Sequence, residues 1–281
     1  MDPYPYKRPL RSWLFTPATR PDRFDKAAAV GADVLILDLE DSVAPADKDN
    51  ARRTAVQYLG RSEGGGPARA LRVNGLGTAA GNADLQALLA SDAVPDFLVL
   101  PKTERALQLQ TLQRQLFAFG KRSRFIALIE SAAGLAAVEE IAAASPRLTG
   151  LMFGAGDMAA DLGAATAWEP LLYARSRLIA ACARSGVLAI DAPFFDVRDR
   201  TGLEQEIARS CALGFAAKAA IHPGQVDAIH TALTPSVAAI AEARAILAEN
   251  AKGVGTVNGR MVDEAIARKA RRVLAAIGEA A

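Results

Sequence analysis

Eight apolar runs punctuate the chain, each closing on polar or turn residues. They are SWLFTPA (12–18), DVLILDLE (33–40), ALRVNG (70–75), FLVLPK (97–102), RFIALIES (124–131), GLMFGAGD (150–157), VLAIDAPF (187–194) and FAAKAAIH (215–222). Short runs of this kind read as strands. Several are apolar at consecutive positions, as parallel strands covered on both faces by helices should be. Between them lie stretches with helical spacing, among them RPDRFDKAAAVGA, NADLQALLAS, TERALQLQTLQRQL, AAGLAAVEEIAAAS and EPLLYARSRLIAACARSG. Eight alternations predict an α/β fold, a (β/α)8 TIM barrel, over residues 11–232. A doubly wound open sheet is the alternative, but it rarely needs eight such regular units. Residues 233–281 are surplus to the barrel: a helix around 235–250, a Gly-containing link KGVGTVNG (252–259) and a last helix from about 262. They predict a C-terminal helical arm that packs on the barrel or reaches a neighbouring subunit. EGGGPA (63–68) predicts a loop before the third strand.

Polar residues at the C-terminal ends of barrel strands gather at one mouth, where barrel active sites are built. Strand two ends in Asp38, Glu40 and Asp41, and strand three carries Arg72. The next five end in Lys102, Glu130, Asp157, Asp191 and His222. Seven polar ends at one mouth are a stronger signal than any one of them. Glu130 and Asp157 each present a single carboxylate on a nearly uncharged strand, one βα unit apart. Adjacent strands lie roughly 5 Å apart, so both groups can converge on one ion. Two carboxylates completed by waters and a substrate oxygen is a common arrangement for Mg2+. The alternative is two unrelated acids capping the helices that follow.

Asp38 and Glu40 share one face of an extended strand and are expected to face the mouth. Asp41 and Ser42 are expected to cap the helix near APADKDNARR. Arg72 lies among apolar residues and needs an anion. Either it bridges to Glu40 or Glu130, or it clamps a substrate carboxylate through two hydrogen bonds. Lys102 is read as a charge partner for the acids, with a Schiff-base lysine as the alternative.

The bulk properties narrow the function classes. The chain has 281 residues, 51% hydrophobic and 23% charged, with no compositional sign of disorder. Net charge is +2 with Lys and Arg scattered, so no nucleic-acid footprint is indicated. Two unpaired-looking cysteines, Cys182 and Cys211, argue for a reducing cytoplasm over a disulfide framework. MDPYPYKRPLRSW lacks the apolar core of a signal peptide, and no membrane partner is expected. FGAGDMAADLG fits G-x-G-x-x-A, but Asp157 would oppose a pyrophosphate and no acid-ended strand follows at the required distance. A redox enzyme binding NAD is therefore the weaker reading. His222 and His230 offer no zinc spacing.

Together the segments RSWLFTPATRPDRFDKAAAVGADVLILDLEDSVAPADKDNAR, LRVNGLGT, LPKTE, ALIESAAGL, FGAGDMAADLG, AAIHPGQV and VNGRMVDEAIARKA resemble the citrate lyase beta-subunit group of the HpcH/HpaI aldolase family. The resemblance runs in the family's order from about residue 11 to the last helix. It implies a (β/α)8 barrel, usually oligomeric and often trimeric or hexameric, that uses Mg2+ (Mn2+ is a possible substitute) as a Lewis acid. The implied activity is carbon–carbon cleavage or formation on a 3-hydroxyacyl thioester such as citryl-, malyl- or citramalyl-CoA, or its acyl-carrier-protein counterpart. The 2-oxo acid partner would be oxaloacetate, glyoxylate or pyruvate. By motif, Glu130 and Asp157 are the metal ligands, and Arg72 holds the oxo-acid carboxylate with Glu130 beside it. Asp38 and Glu40 sit near the metal and its waters. Asp263, in GRMVD, matches an aspartate that enters an adjacent subunit's site as an acid/base. The resemblance also admits a non-catalytic subunit of a larger complex. GAGD departs from the commoner GaeD, so Gly156 implies extra room beside Asp157.

Overall fold

The computed structural model describes residues 9–61, 66–253 and 255–279. The segment MDPYPYKR and the first three residues of the expected EGGGPA loop lie outside the described residues. Eight parallel strands close into a barrel: β1 (Ser12–Pro17), β2 (Val34–Asp38), β3 (Ala68–Arg72), β4 (Phe97–Leu100), β5 (Arg124–Ile129), β6 (Leu148–Phe153), β7 (Leu188–Asp191) and β8 (Ala217–Ala220). Closure is made by β8 on β1, with Trp13 opposite Ala219. Helices fill each connection: α1 (Phe24–Ala28), α2 (Lys48–Leu59), α3 (Ala79–Leu89), α4 (Ala106–Ala118), α5 (Ala132–Ala136) with α6 (Val138–Ala142), α7 (Ala155–Leu162) with α8 (Trp168–Ser185), α9 (Arg200–Leu213) and α10 (Val226–Leu233). This is the (β/α)8 barrel that the alternating runs predict.

Strand parity sorts the apolar residues into two cores. Trp13, Val34, Ile36, Phe97, Val99, Ile126 and Met152 fill the barrel interior. Their neighbours Leu14, Leu35, Leu37, Leu98, Phe125, Ala127 and Leu151 pack outward under the helices. Successive strand side chains point to opposite faces, so a strand buried on both sides reads as one continuous apolar run. The same parity carries past the strand ends. On β2 the inward series Val34, Ile36 continues to Asp38, and on β5 Ile126 and Leu128 continue to Glu130. Both acids therefore enter the mouth.

Asp191 obeys the rule in the other sense, because Leu188 and Ile190 face inward. It is fully buried behind the barrel, where Lys218 Nζ and Arg175 Nε donate to it at 2.7 and 3.1 Å. Its expected place at the mouth is thus corrected. His222 caps the turn before α10, its Nδ1 accepting from Gly224 N at 3.1 Å.

Beyond the barrel, α11 (Val237–Asn250) and α12 (Glu264–Ala275) pack together around Ala243, Ala270 and Leu274. The Gly-containing link between them forms an antiparallel ribbon, β9 (Gly255–Val257) with β10 (Arg260–Val262). Asn258 and Gly259 turn it with φ of 52° and 74°. Asn-Gly tolerates two successive positive φ values, which is the requirement of a tight hairpin turn. Pro223–Asn250 is long and apolar enough to cross a bilayer as one helix. In the fold it is two, because Thr234 leaves the helical region with ψ of 119°.

Candidate active site

The C-terminal mouth holds a cavity of about 490 Å3 lined by Asp38, Asp41, Arg72, Glu130 and Asp157, with an apolar wall opposite. Cross-strand register does most of the positioning. Asp38 lies directly opposite Arg72 across β2 and β3. Arg72 Nε and Nη2 donate to the two Asp38 oxygens at 2.6 and 2.7 Å, and the guanidinium stacks over the Phe15 ring at 4.8 Å. Its third nitrogen, Nη1, lies 3.0 Å from Glu40 Oε2 and 3.5 Å from Asp41 Oδ2. Arg72 therefore makes the expected bridge to Glu40, and Asp38, which takes both hydrogen bonds, is its chief buried anion; Glu130 is not paired with it. Donors on its outer edge are left to face the cavity.

Asp38 is correspondingly saturated. Besides Arg72 it accepts from Glu40 N at 2.9 Å and Ser42 N at 3.3 Å. Burial drives its carboxyl up, but Arg72 outweighs burial and holds it below the ordinary carboxylate range. Asp38 thus orients Arg72 and the turn that follows while lining the same cavity as Glu130 and Asp157. Asp41 is exposed beside Arg72, and the helix start near APADKDNARR has no side-chain cap from Asp41 or Ser42. That capping expectation is corrected. The acid crowding is relieved by Arg72 instead.

Lys102 pairs with Glu40, Nζ to Oε1 at 2.8 Å, and this hydrogen bond raises its pKa. The pairing makes Lys102 a charge partner for the acids, as expected, and favours its ammonium form over the free amine a Schiff base needs. Lys102 takes φ of 49°, the left-handed region a non-glycine residue adopts only at a cost. In that conformation its own backbone N donates to Glu130 Oε1 at 2.6 Å.

Glu130 is 4% exposed at the end of β5. Burial, with the charges of Glu40 and Asp157, pushes its carboxyl up to about 8. A Cβ at position 154 would stand 2.4 Å from Glu130 Cβ and 2.5 Å from its Oε2, so only glycine fits there. Gly154 follows β6 and caps α7, and Asp157 sits in the first turn of α7 instead of on the strand. The short α7 start brings Asp157 to the same cavity as Glu130. A carboxylate there also suits a helix N-terminus.

The donor set fits a hard divalent cation. Five carboxyl groups (Asp38, Glu40, Asp41, Glu130, Asp157) face two cations (Arg72, Lys102). Glu40 Oε2 is buried and accepts no hydrogen bond, its contact with Arg72 being an ion pair only. Among the described residues no three His, Cys, Asp or Glu side chains form an all-protein cage. Glu130 and Asp157, which line one cavity, are the two carboxylates that would hold such an ion, with waters completing its shell.

Asp263 is not part of this cavity. It is exposed at the N-cap of α12, where Oδ1 accepts from Ile266 N at 2.9 Å. Ser12 Oγ lies 2.7 Å from His230 Nε2, but Asp33 approaches the same nitrogen at 3.4 Å, so no catalytic triad is formed. Sequence reasoning missed the apolar wall of Phe15, Pro17, Pro193, Phe195 and Ile221, having scored polar strand ends alone. Parity with Trp13 would have found Phe15 and Pro17. Phe15, Pro17 and Ile221 also line a second cavity of about 530 Å3, which carries Arg20, Arg23, Lys26 and His222.

A profile of the HpcH/HpaI aldolase/citrate lyase family matches residues 11–223. The L-malyl-CoA/beta-methylmalyl-CoA lyase of Cereibacter sphaeroides is 38% identical, over 98% of this chain and 96% of that one. The crystal structure of RipC from Yersinia pestis superposes with a TM-score of 0.73 at 54% identity, covering 82% of this chain and 97% of that one. CitE from Mycobacterium tuberculosis, in complex with magnesium, acetoacetate and coenzyme A, gives a TM-score of 0.79 at 36% identity, over 98% and 100% of the two chains. The chain belongs to the HpcH/HpaI aldolase/citrate lyase family.

Proposed function

We propose that this protein is a Mg2+-dependent carbon–carbon lyase that cleaves or forms a 3-hydroxyacyl thioester, releasing or using a 2-oxo acid. One observation carries the reading: Glu130 and Asp157, from adjacent βα units, face the same cavity as the outer edge of Arg72. Mg2+ held by those two carboxylates would supply Lewis acidity to the oxygen on which carbonyl character develops. Arg72, fixed by Asp38 and Phe15, orients the carboxylate of the oxo-acid half through its remaining donors. Lys102 donates to Glu40 beside it, opposing the burial that raises that carboxyl. In cleavage, the 3-hydroxyl proton leaves, the C2–C3 bond breaks, and the thioester enolate takes a proton at C2.

The acid/base group for that proton is Asp263 of a neighbouring copy. In support, α11 is apolar in sequence yet buries only Ala243 against its own chain, and Met261 beside the hairpin is 62% exposed. A homo-oligomer, trimer or hexamer, would cover this arm. The second, basic cavity adjoins the first and suits the phosphates of a CoA or acyl-carrier-protein arm. Cytoplasmic residence accords with two cysteines and no disulfide.

The test is to incubate purified, metal-stripped protein plus Mg2+ with malyl-, citramalyl- and citryl-CoA, and to identify the products. Release of a 2-oxo acid with its acyl-CoA from at least one is expected. No release from any, with no rise in melting temperature on adding Mg2+ and oxaloacetate, would favour a non-catalytic subunit.

A further inference from the structure

The cavity is two-faced, and the lyase reading uses only one face. β2, β3, β5 and α7 supply the polar side. β1 and the loops after β7 and β8 supply Phe15, Pro17, Pro193, Phe195 and Ile221. Phe195 is 54% exposed, an open aromatic ring on the rim of a working cavity. Its loop is pinned just ahead of the ring. Ala192 O accepts from Lys218 Nζ at 2.7 Å, and Phe194 O accepts from Gln225 Nε2 at 2.8 Å. Gln225 Oε1 in turn accepts from Ile221 N at 2.9 Å, tying the two apolar loops together. The backbone leading to the ring is therefore held in place at the rim. The ring Cζ lies 3.7 Å from where a Cβ on Gly156 would stand, one residue from Asp157.

A 2-oxo acid offers its carboxylate and keto oxygens to the polar side. The third substituent on the keto carbon must then face the wall. Resting on the lyase reading, we propose that Phe195, with Gly156, is the specificity-determining element for that substituent: hydrogen or methyl is accepted and carboxymethyl is rejected. A methyl group gains buried apolar contact against the ring. A second carboxylate would exchange water for apolar surface on that side, with no free cation in this cavity's own lining to meet it. Among the described residues, Arg72 is the one cation lining this cavity, and two of its nitrogens already serve Asp38. Glyoxylate- and pyruvate-derived thioesters are thus the substrates, and the oxaloacetate-derived one is not.

The experiment measures kcat/KM for malyl-, citramalyl- and citryl-CoA with the wild type, Phe195→Arg and Gly156→Ala. In parallel, calorimetry follows pyruvate and oxaloacetate binding in Mg2+. The wild type should disfavour citryl-CoA by about a hundredfold or more. Phe195→Arg should shrink that ratio by about tenfold, and Gly156→Ala should lower citramalyl-CoA relative to malyl-CoA by a similar factor. Wild-type turnover of citryl-CoA as fast as the others, or an unchanged ratio in a folded Phe195→Arg protein, overturns the proposal. If no thioester is cleaved but pyruvate still outbinds oxaloacetate in a Phe195-dependent way, the lyase reading falls and the selectivity stands. If neither acid is discriminated, both fall.

Discussion

Glu130 ends an apolar strand, accepts a hydrogen bond from Lys102 N and packs against the bare backbone of Gly154. Its carboxyl, pushed from an ordinary 4.5 to about 8, holds its proton more tightly in the folded than in the unfolded chain. The stabilising contribution of that proton is complete below about 4.5 and is lost as pH rises through about 8. Glu40, also raised by burial, acts in the same direction, while Asp38, lowered by Arg72, acts oppositely at lower pH. The melting temperature of metal-free protein should therefore decline between about pH 5 and about pH 8, and Glu130→Gln should flatten the decline. At the same scale, Glu130→Ala and Asp157→Ala should each lower Mg2+-dependent turnover by on the order of a thousandfold, while circular dichroism shows the fold retained. Residue types at strand ends made these acids legible in the sequence. The Arg72–Asp38 pairing was not legible, since it depends on which residues the barrel register sets face to face.

Elements explain where strand-end reasoning failed. Asp191 ends an apolar run as Glu130 does, yet its parity on β7 sends it outward to Lys218 and Arg175, away from the mouth. Counting inward positions from the strand middle would have separated the two. That outward cluster is buried ion pairing, and removing one partner leaves a desolvated charge. Asp191→Ala should cost about 3–5 kcal/mol in denaturant unfolding, leave Lys218 with Glu206 as its one remaining carboxylate partner, and slacken the loop bearing Phe195. Asp157 was placed on a strand because GLMFGAGD reads as one run. Gly154 instead permits a turn into α7 while Glu130 packs against it. Gly154→Ala should weaken Mg2+ binding by about 10- to 100-fold, measured by calorimetry, by displacing the Glu130 carboxyl.

For the whole molecule, eight alternating runs were enough to read the barrel, because a strand covered on both faces cannot hide its apolar character. The C-terminal arm was visible as surplus length, but its hairpin was not, since three-residue strands leave too short a pattern to read. Nor does one chain bring Asp263 to the cavity. If the arm serves a neighbouring copy, Asp263→Asn should cut turnover while leaving Mg2+ binding and the light-scattering mass unchanged. The measurement that bears most directly on the whole account is the rate of 3-hydroxyacyl-CoA cleavage as Mg2+ is titrated into EDTA-stripped protein. Silence without metal is expected, with saturable recovery on adding Mg2+ that Asp157→Asn abolishes. Full turnover in EDTA would contradict it.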